Sequence, residues 1–247
     1  MNTHVKLASV AQTDISAAEW QARVDLAAVY RLIAHYGWGD VIYNHSSLRV
    51  PGDERKFLIK RHELLYEEVT PANLVKVSMD DDLDESAGVN RPGFTLHGGV
   101  LAARPDVHCA VHVHTETGMA IAGLKHGLRM VSQAAVRFYQ RIGYHDYEGI
   151  TEDFSERERI NRALGQNRAL ILRNHGLLTV GRSVEESVGW FVMAERVAEV
   201  HVKAPNGRPI SDEAAALAAS TLAPHPVGWR MFQWLQRSLV PDRSVVD

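Results

Sequence analysis

Residues 106–115 read DVHCAVHVHT and residues 169–176 read ALILRNHG; the fold and the chemistry both turn on these two stretches. The first is β-branched and predicts a strand over Val107–His114. Along a strand, alternate residues share a face. Val107, Cys109, Val111 and Val113 fall on one face, and His108, Ala110, His112 and His114 on the other. Residues two apart are separated by about 6.6 Å, so His112 and His114 can converge on one ion through bonds of ~2.0–2.1 Å. His108 lies two steps further away and is too distant to join them. Taken alone, the pair fits a half-exposed strand face as well as a metal site. The second stretch predicts a strand over Ala169–Arg173, a turn at Asn174-His175-Gly176 and a further strand over Leu177–Val180. Gly176 is expected to let the backbone turn sharply and present His175, the candidate third ligand.

Outward from these strands, helices and short strands alternate, which predicts an α/β fold with a mixed central sheet flanked by helices. Ser16-x-x-Glu19 has the form of a capping box, and Trp20, Val24, Ala27 and Tyr30 make a helical stripe that ends near Gly37. Short strands are expected around Ser47–Val50, Lys56–Lys60 and Leu74–Ser78. Pro92 opens a helix over Phe94–Arg104. Further helices are predicted over Gly118–Leu124, Glu156–Leu164 and Ser183–Lys203. The acidic run from Asp80 to Asp84 reads as a solvated turn. The organisation expected is a flexible arm over 1–15, a domain over 16–204 and a helical extension over 205–247.

The chain has 247 residues, 45 % of them hydrophobic, and a net charge of −3. That balance excludes a basic nucleic-acid surface as its main business. No apolar run approaches the ~20 residues of a membrane span, and the first residues carry no apolar signal-peptide core. The single cysteine, Cys109, excludes an internal disulfide. A soluble, cytoplasmic protein is the expectation. Thirteen histidines is the unusual count. Histidine is the commonest metal ligand, so their placement calls for a reason.

Five segments carry a resemblance. They are VIYNHSSLRV (41–50), FLIKRHELLYEEVTPANLVKV (57–77), NRPGFTLHGGVLAARPDVHCAVHVHT (90–115), YHDYEGI (144–150) and ALILRNHGLLTVGRSVEES (169–187). Together, over roughly residues 20–203, the chain resembles the class II aldolase/adducin family. It is more similar to the adducin-like, bacterial-type branch than to the sugar-phosphate aldolases. The resemblance implies a three-layer sandwich and a homotetramer. It also implies one divalent metal ion on His112, His114 and His175, zinc first, with manganese, iron or cobalt also suited to imidazole. Tyr144 matches the position of the aldolases' tyrosine proton donor.

The sequence departs from the aldolase pattern at two places. Gly93 stands where the family's metal-adjacent glutamate falls, and His45 stands where its asparagine falls. Three neutral imidazoles leave the full +2 charge on the ion and an open coordination position. Such a site favours an anionic, chelating small molecule. His45, Lys60 and Arg91 are the candidate substrate contacts, with Arg61 beside them, and Glu116 is a candidate replacement base. His97 reads as a packed, hydrogen-bonded histidine. The function expected is a metal-dependent lyase, an aldolase or decarboxylase on a small carbonyl or carboxylate compound. The alternatives are a non-catalytic adducin-like assembly module, or an oxygenase or epimerase on the same fold.

Overall fold

The computed structural model describes residues 9–80, 82–83, 85–151, 153–222, 232–233 and 235–237. The first helix, α1 (Ala17–His35), starts where Ser16 Oγ accepts a hydrogen bond from the Glu19 amide at 3.1 Å. The other half of the expected capping box is not made. Glu19 turns to Arg23 at 2.9 Å and Lys76 at 2.8 Å, because two cations outcompete one backbone amide. Strands β1 (His45–Val50), β2 (Asp53–Ile59) and β3 (Val75–Ser78) follow. The Tyr30 hydroxyl fastens α1 to them. It accepts from the Ser46 amide at 2.9 Å and donates to the Ser46 carbonyl at 2.5 Å.

Helix α2 (Arg91–Ala103) begins three residues before the expected start, because the Asn90 side chain caps it by accepting from the Gly93 amide at 2.9 Å. Then come β4 (Cys109–Val113), α3 (Glu116–Gly123), β5 (Ile142–His145), α4 (Glu156–Leu164), β6 (Ala169–Leu172), β7 (Gly176–Gly181), α5 (Val184–Lys203) and α6 (Asp212–Leu222). The capping pattern at Ser183 holds, its hydroxyl accepting from the Glu186 amide at 3.2 Å.

The seven strands form one sheet in the order β3-β2-β1-β4-β7-β6-β5. Only β5 and β6 run parallel; every other pair is antiparallel. Helices cover both faces. Residues of α1 and α5, with Ile121 and Ala122 of α3, share a core with Cys109, Val111 and Val113. Phe94 and Val100 of α2 and Ile160 and Leu164 of α4 share the other core with Ala110. The alternation predicted for 107–114 therefore begins at Cys109. Val107 precedes the strand and packs into the second core.

The amide of Val10 donates to the Ala72 carbonyl at 2.9 Å, and residues 12–14 form a helical turn. Residues 1–8 of the expected arm and the end of the chain from 238 lie outside the described residues, as do Asp81 and Asp84. Asp80 pairs with Arg55 on the surface. Phe232 and Leu235 are buried in the first core. No helix among the described residues is long and apolar enough to cross a membrane.

Candidate metal centre

Strand β4 lies in the middle of the sheet, between β1 and β7, with His112 near its C-terminal end and His114 just past it. Register sets His45 of β1 opposite His112 on one side and Leu178 of β7 opposite it on the other. The turn joining β6 to β7 delivers His175 to the same place. The residue that makes this turn is Asn174, at φ +57°, not Gly176. Asparagine tolerates the left-handed region better than other non-glycine residues. Gly176 serves space instead: a Cβ there would lie 3.0 Å from the Val113 carbonyl and 3.2 Å from the His114 ring.

The rings of His112, His114 and His175 stand 4.6–4.8 Å apart between centroids. One nitrogen of each lies within 4.8 Å of the others. Hydrogen-bond partners assign two of the tautomers. His112 Nδ1 lies 2.9 Å from the Leu177 carbonyl, and His114 Nδ1 lies 3.3 Å from the Asp40 carboxylate. Both partners only accept, so both Nδ1 atoms carry the proton and both Nε2 atoms present lone pairs. Yet the two Nε2 atoms face each other at 3.0 Å. Two nitrogens bound tetrahedrally to one ion at ~2.0–2.1 Å stand roughly 3.3 Å apart. The donor set thus fits a divalent cation, which would relieve the lone-pair repulsion that the bare pair suffers. Carbonyl and carboxylate partners behind the rings are the usual means of orienting metal-binding histidines.

The protonation states agree. Burial, reinforced by the neighbouring rings, holds His112 well below the ordinary imidazole value. Burial takes His175 down to about 4. It also lowers His114, although Asp40 pulls the other way. Neutral imidazoles are the form that binds metal.

Behind these three rings lies a second imidazole pair. His45 Nδ1 is 2.9 Å from His97 Nε2, and His97 Nδ1 is 2.6 Å from Ser47 Oγ. His97 is fully buried and held down to about 3 by desolvation, as expected of a packed histidine. The two departures from the aldolase pattern meet here. A Cβ at Gly93 would sit 2.5 Å from His45 Cδ2 and 2.8 Å from its Nε2. The His45 ring occupies the space that a side chain at 93 would need.

A cavity of about 510 Å³ opens over the histidines, lined among others by Asn44, His45, His112, His114, Asn174 and His175. A larger hollow of about 700 Å³ lies between α3 and α5, but none of its lining residues is a histidine or cysteine. All three candidate ligands line the smaller one.

Several expected contacts do not line it. Lys60 is buried, and its Nζ donates to the carbonyls of Ile42, Arg61, His62 and Leu64 at 2.6–3.3 Å. Burial pushes it down to about 8. It holds a loop together and has no proton left for substrate. Arg91 lies over the Phe154 ring, 5.3 Å from its centroid. The Tyr144 hydroxyl accepts from the Leu128 amide at 3.1 Å, and Arg173 lies over its ring, so within this chain it is turned to the 127–128 loop. Glu116 faces the α3–α5 hollow. Sequence reasoning missed Asp40, Asn44 and Asn174. The last two sit at φ +68° and +57°, and asparagine next to histidine in both segments was the available signal.

A seven-stranded mixed sheet between helical layers, with a three-histidine cluster at the end of its central strand, defines a class II aldolase-type domain. The chain belongs to this family: the class II aldolase and adducin N-terminal domain profile matches residues 24–202. An aldolase II superfamily protein from Pseudomonas syringae superposes with a TM-score of 0.89 at 38 % identity, covering 96 % of this chain and 99 % of that one. L-fuculose 1-phosphate aldolase from Glaciozyma antarctica superposes at 0.82 with 25 % identity, over 94 % of each chain. Alpha-adducin of Rattus norvegicus is 46 % identical over 170 residues, which are 67 % of this chain and 23 % of the adducin.

Proposed function

We propose that this protein is a metal-dependent lyase, an aldolase or decarboxylase acting on a small carbonyl or carboxylate compound. One divalent ion, zinc first, is held by His112, His114 and His175. The observation that carries this reading is the pair of unprotonated Nε2 atoms facing each other at 3.0 Å. The likeness to a solved L-fuculose 1-phosphate aldolase supports it. Bound there, the ion would polarise a substrate carbonyl and act as an electron sink.

The chain's own residues do the rest. Asp40 and the Leu177 carbonyl fix two of the ligating rings. His45 lines the cavity beside them and contacts substrate, its Nδ1 tied back to His97. The family glutamate is absent, so a reaction that starts by losing carbon dioxide, which needs no base, suits the site better than one that starts by proton abstraction. The reading includes a cytoplasmic homotetramer; exposed Tyr36 and Val202 beside the α3–α5 hollow support self-association.

A second reading, a non-catalytic assembly module, is favoured by Gly93 and by the likeness to alpha-adducin. Elemental analysis of freshly purified protein separates the two. The lyase reading expects about one zinc-type ion per chain, lost together with turnover of 2-oxo or hydroxy acids in His112→Ala. Wild-type protein that carries no metal and takes none up leaves the assembly reading standing.

A further inference from the structure

The turn before β1 brings Tyr43, Asn44 and His45 to the cavity. The Asp40–Tyr43 bridge closes the turn, with the Tyr43 amide donating to the Asp40 carbonyl at 2.8 Å. Asp40 orients His114, His45 begins β1, and between them stands Asn44. Its side chain has a different status from every other amide in the site. Asn44 is 2 % exposed and lines the cavity, and neither its Nδ2 nor its Oδ1 has a partner among the described residues. Its backbone is at φ +68°, where L-residues other than asparagine and aspartate are rare. By contrast, Asn90 spends its oxygen on capping α2. A buried amide without partners is costly, and such exceptions in a folded protein call for a reason.

The charge in the cavity points the same way. Among the described residues no lysine or arginine lines it. Lys60 and Arg91 are both committed elsewhere, as described above. A phosphate ester would find no cation there besides the ion on the histidines. Much of the remaining lining is apolar, Pro92, Leu96, Met119, Tyr147 and Ile150, with Tyr43 and Thr151 adding a hydroxyl each. Of the apolar residues, Met119, Tyr147 and Ile150 are exposed.

We propose that Asn44 is a specificity-determining residue whose amide hydrogen-bonds a hydroxyl group on an unphosphorylated 2-oxo or 2-hydroxy compound. A hydroxyl both donates and accepts, which matches the acceptor oxygen and one of the two N–H donors that the amide leaves open. A site built to pair a substrate hydroxyl rejects an analogue that lacks it, because its own polar group is then left buried and bare. The inference rests on the metal-dependent reading and names the substrate class of that same site.

The test uses zinc-loaded full-length protein and three metal-chelating probes in titration calorimetry: glycolohydroxamate, its phosphate ester, and acetohydroxamate, which lacks the hydroxyl. Zinc content is measured in every sample. Wild type is expected to bind glycolohydroxamate at least tenfold more tightly than the phosphate ester. Asn44→Gly suits the backbone and removes the amide. It is expected to bind zinc as wild type does, to lose about tenfold toward glycolohydroxamate and to hold acetohydroxamate unchanged. Tighter binding of the phosphate ester, or equal weakening of both unphosphorylated probes, overturns this inference and leaves the metal reading intact. A wild-type protein that takes up no zinc overturns both.

Discussion

Restoring the family glutamate at position 93 should destabilise this protein, and removing His45 should rescue it. The added Cβ would meet His45 Cδ2 at 2.5 Å, inside any real carbon–carbon contact, and the rest of the side chain would need the ring's place. Overpacking of this kind costs about 1–3 kcal/mol. Displacing the ring also breaks its 2.9 Å hydrogen bond to His97, which is fully buried, for roughly 1–3 kcal/mol more. Gly93→Glu is therefore expected to lose about 2–6 kcal/mol, roughly 4–24 °C in Tm for a chain of this size. His45→Asn alone loses about 1–3 kcal/mol, because His97 keeps a bare nitrogen. In the double variant the glutamate occupies vacated space in the first turn of α2, where a negative charge is favoured by about 0.3–1 kcal/mol. The sum of the single losses should exceed the double loss by about 2–6 kcal/mol, because the overpacking disappears and the bond to His97 is lost once instead of twice. Urea denaturation of the four proteins, metal-free, measures the cycle. Additivity within about 0.5 kcal/mol, or a Gly93→Glu variant as stable as wild type, refutes the claim that the two departures are one packing event.

Other outcomes follow from single contacts. Asp40→Asn should weaken zinc binding about 10–100-fold in competition with a chromogenic chelator, since the amide holds the His114 tautomer less firmly; unchanged affinity would remove Asp40 from the site. Metal-free protein should lose stability as pH falls below 6.5. His97 and His175 are lowered in the fold, to about 3 and about 4, so between those values and 6.5 the unfolded chain binds protons that the folded chain refuses. For His97 alone the loss reaches about 2 kcal/mol at pH 5, and denaturation midpoints that do not move between pH 7 and 5 would contradict it. Arg49→Met should cost about 3 kcal/mol or more in urea unfolding. The buried guanidinium donates to the carbonyls of Leu101 at 2.6 Å, Arg104 at 3.2 Å and Val107 at 3.0 Å, all of which would lose a donor.

Local signals located most of the fold. Helix α4 spans the residues expected, Glu156–Leu164, and Ser16 and Ser183 both cap the helices expected after them. Strand β5 was not legible. It is four residues long and sits at the sheet edge. It also contains Gly143, where a Cβ would run into the Ala163 carbonyl of α4. At the site, spacing could pair His112 with His114, and the turn after an apolar strand offered His175 as a candidate, which the resemblance then joined to them. Loss of the glutamate at Gly93 was visible, whereas the ring that fills its space comes from β1, far from α2 in sequence, and leaves no mark in local pattern. Lys60 is the instructive error. A lysine beside a predicted pocket reads as an anion contact, and only coordinates show its ammonium turned inward onto four carbonyls.

The histidine cluster draws together distant parts of the chain at that end of the sheet. His114 reaches across 74 residues of sequence to Asp40, and His112 across 65 to Leu177. A cation seated among the rings would work as a clasp, pinning the 40–44 turn and the β6–β7 hairpin to the central strand. Chelation should then loosen those two surface segments while the buried layers beneath stay shut, and amide exchange followed with and without chelator would register the difference.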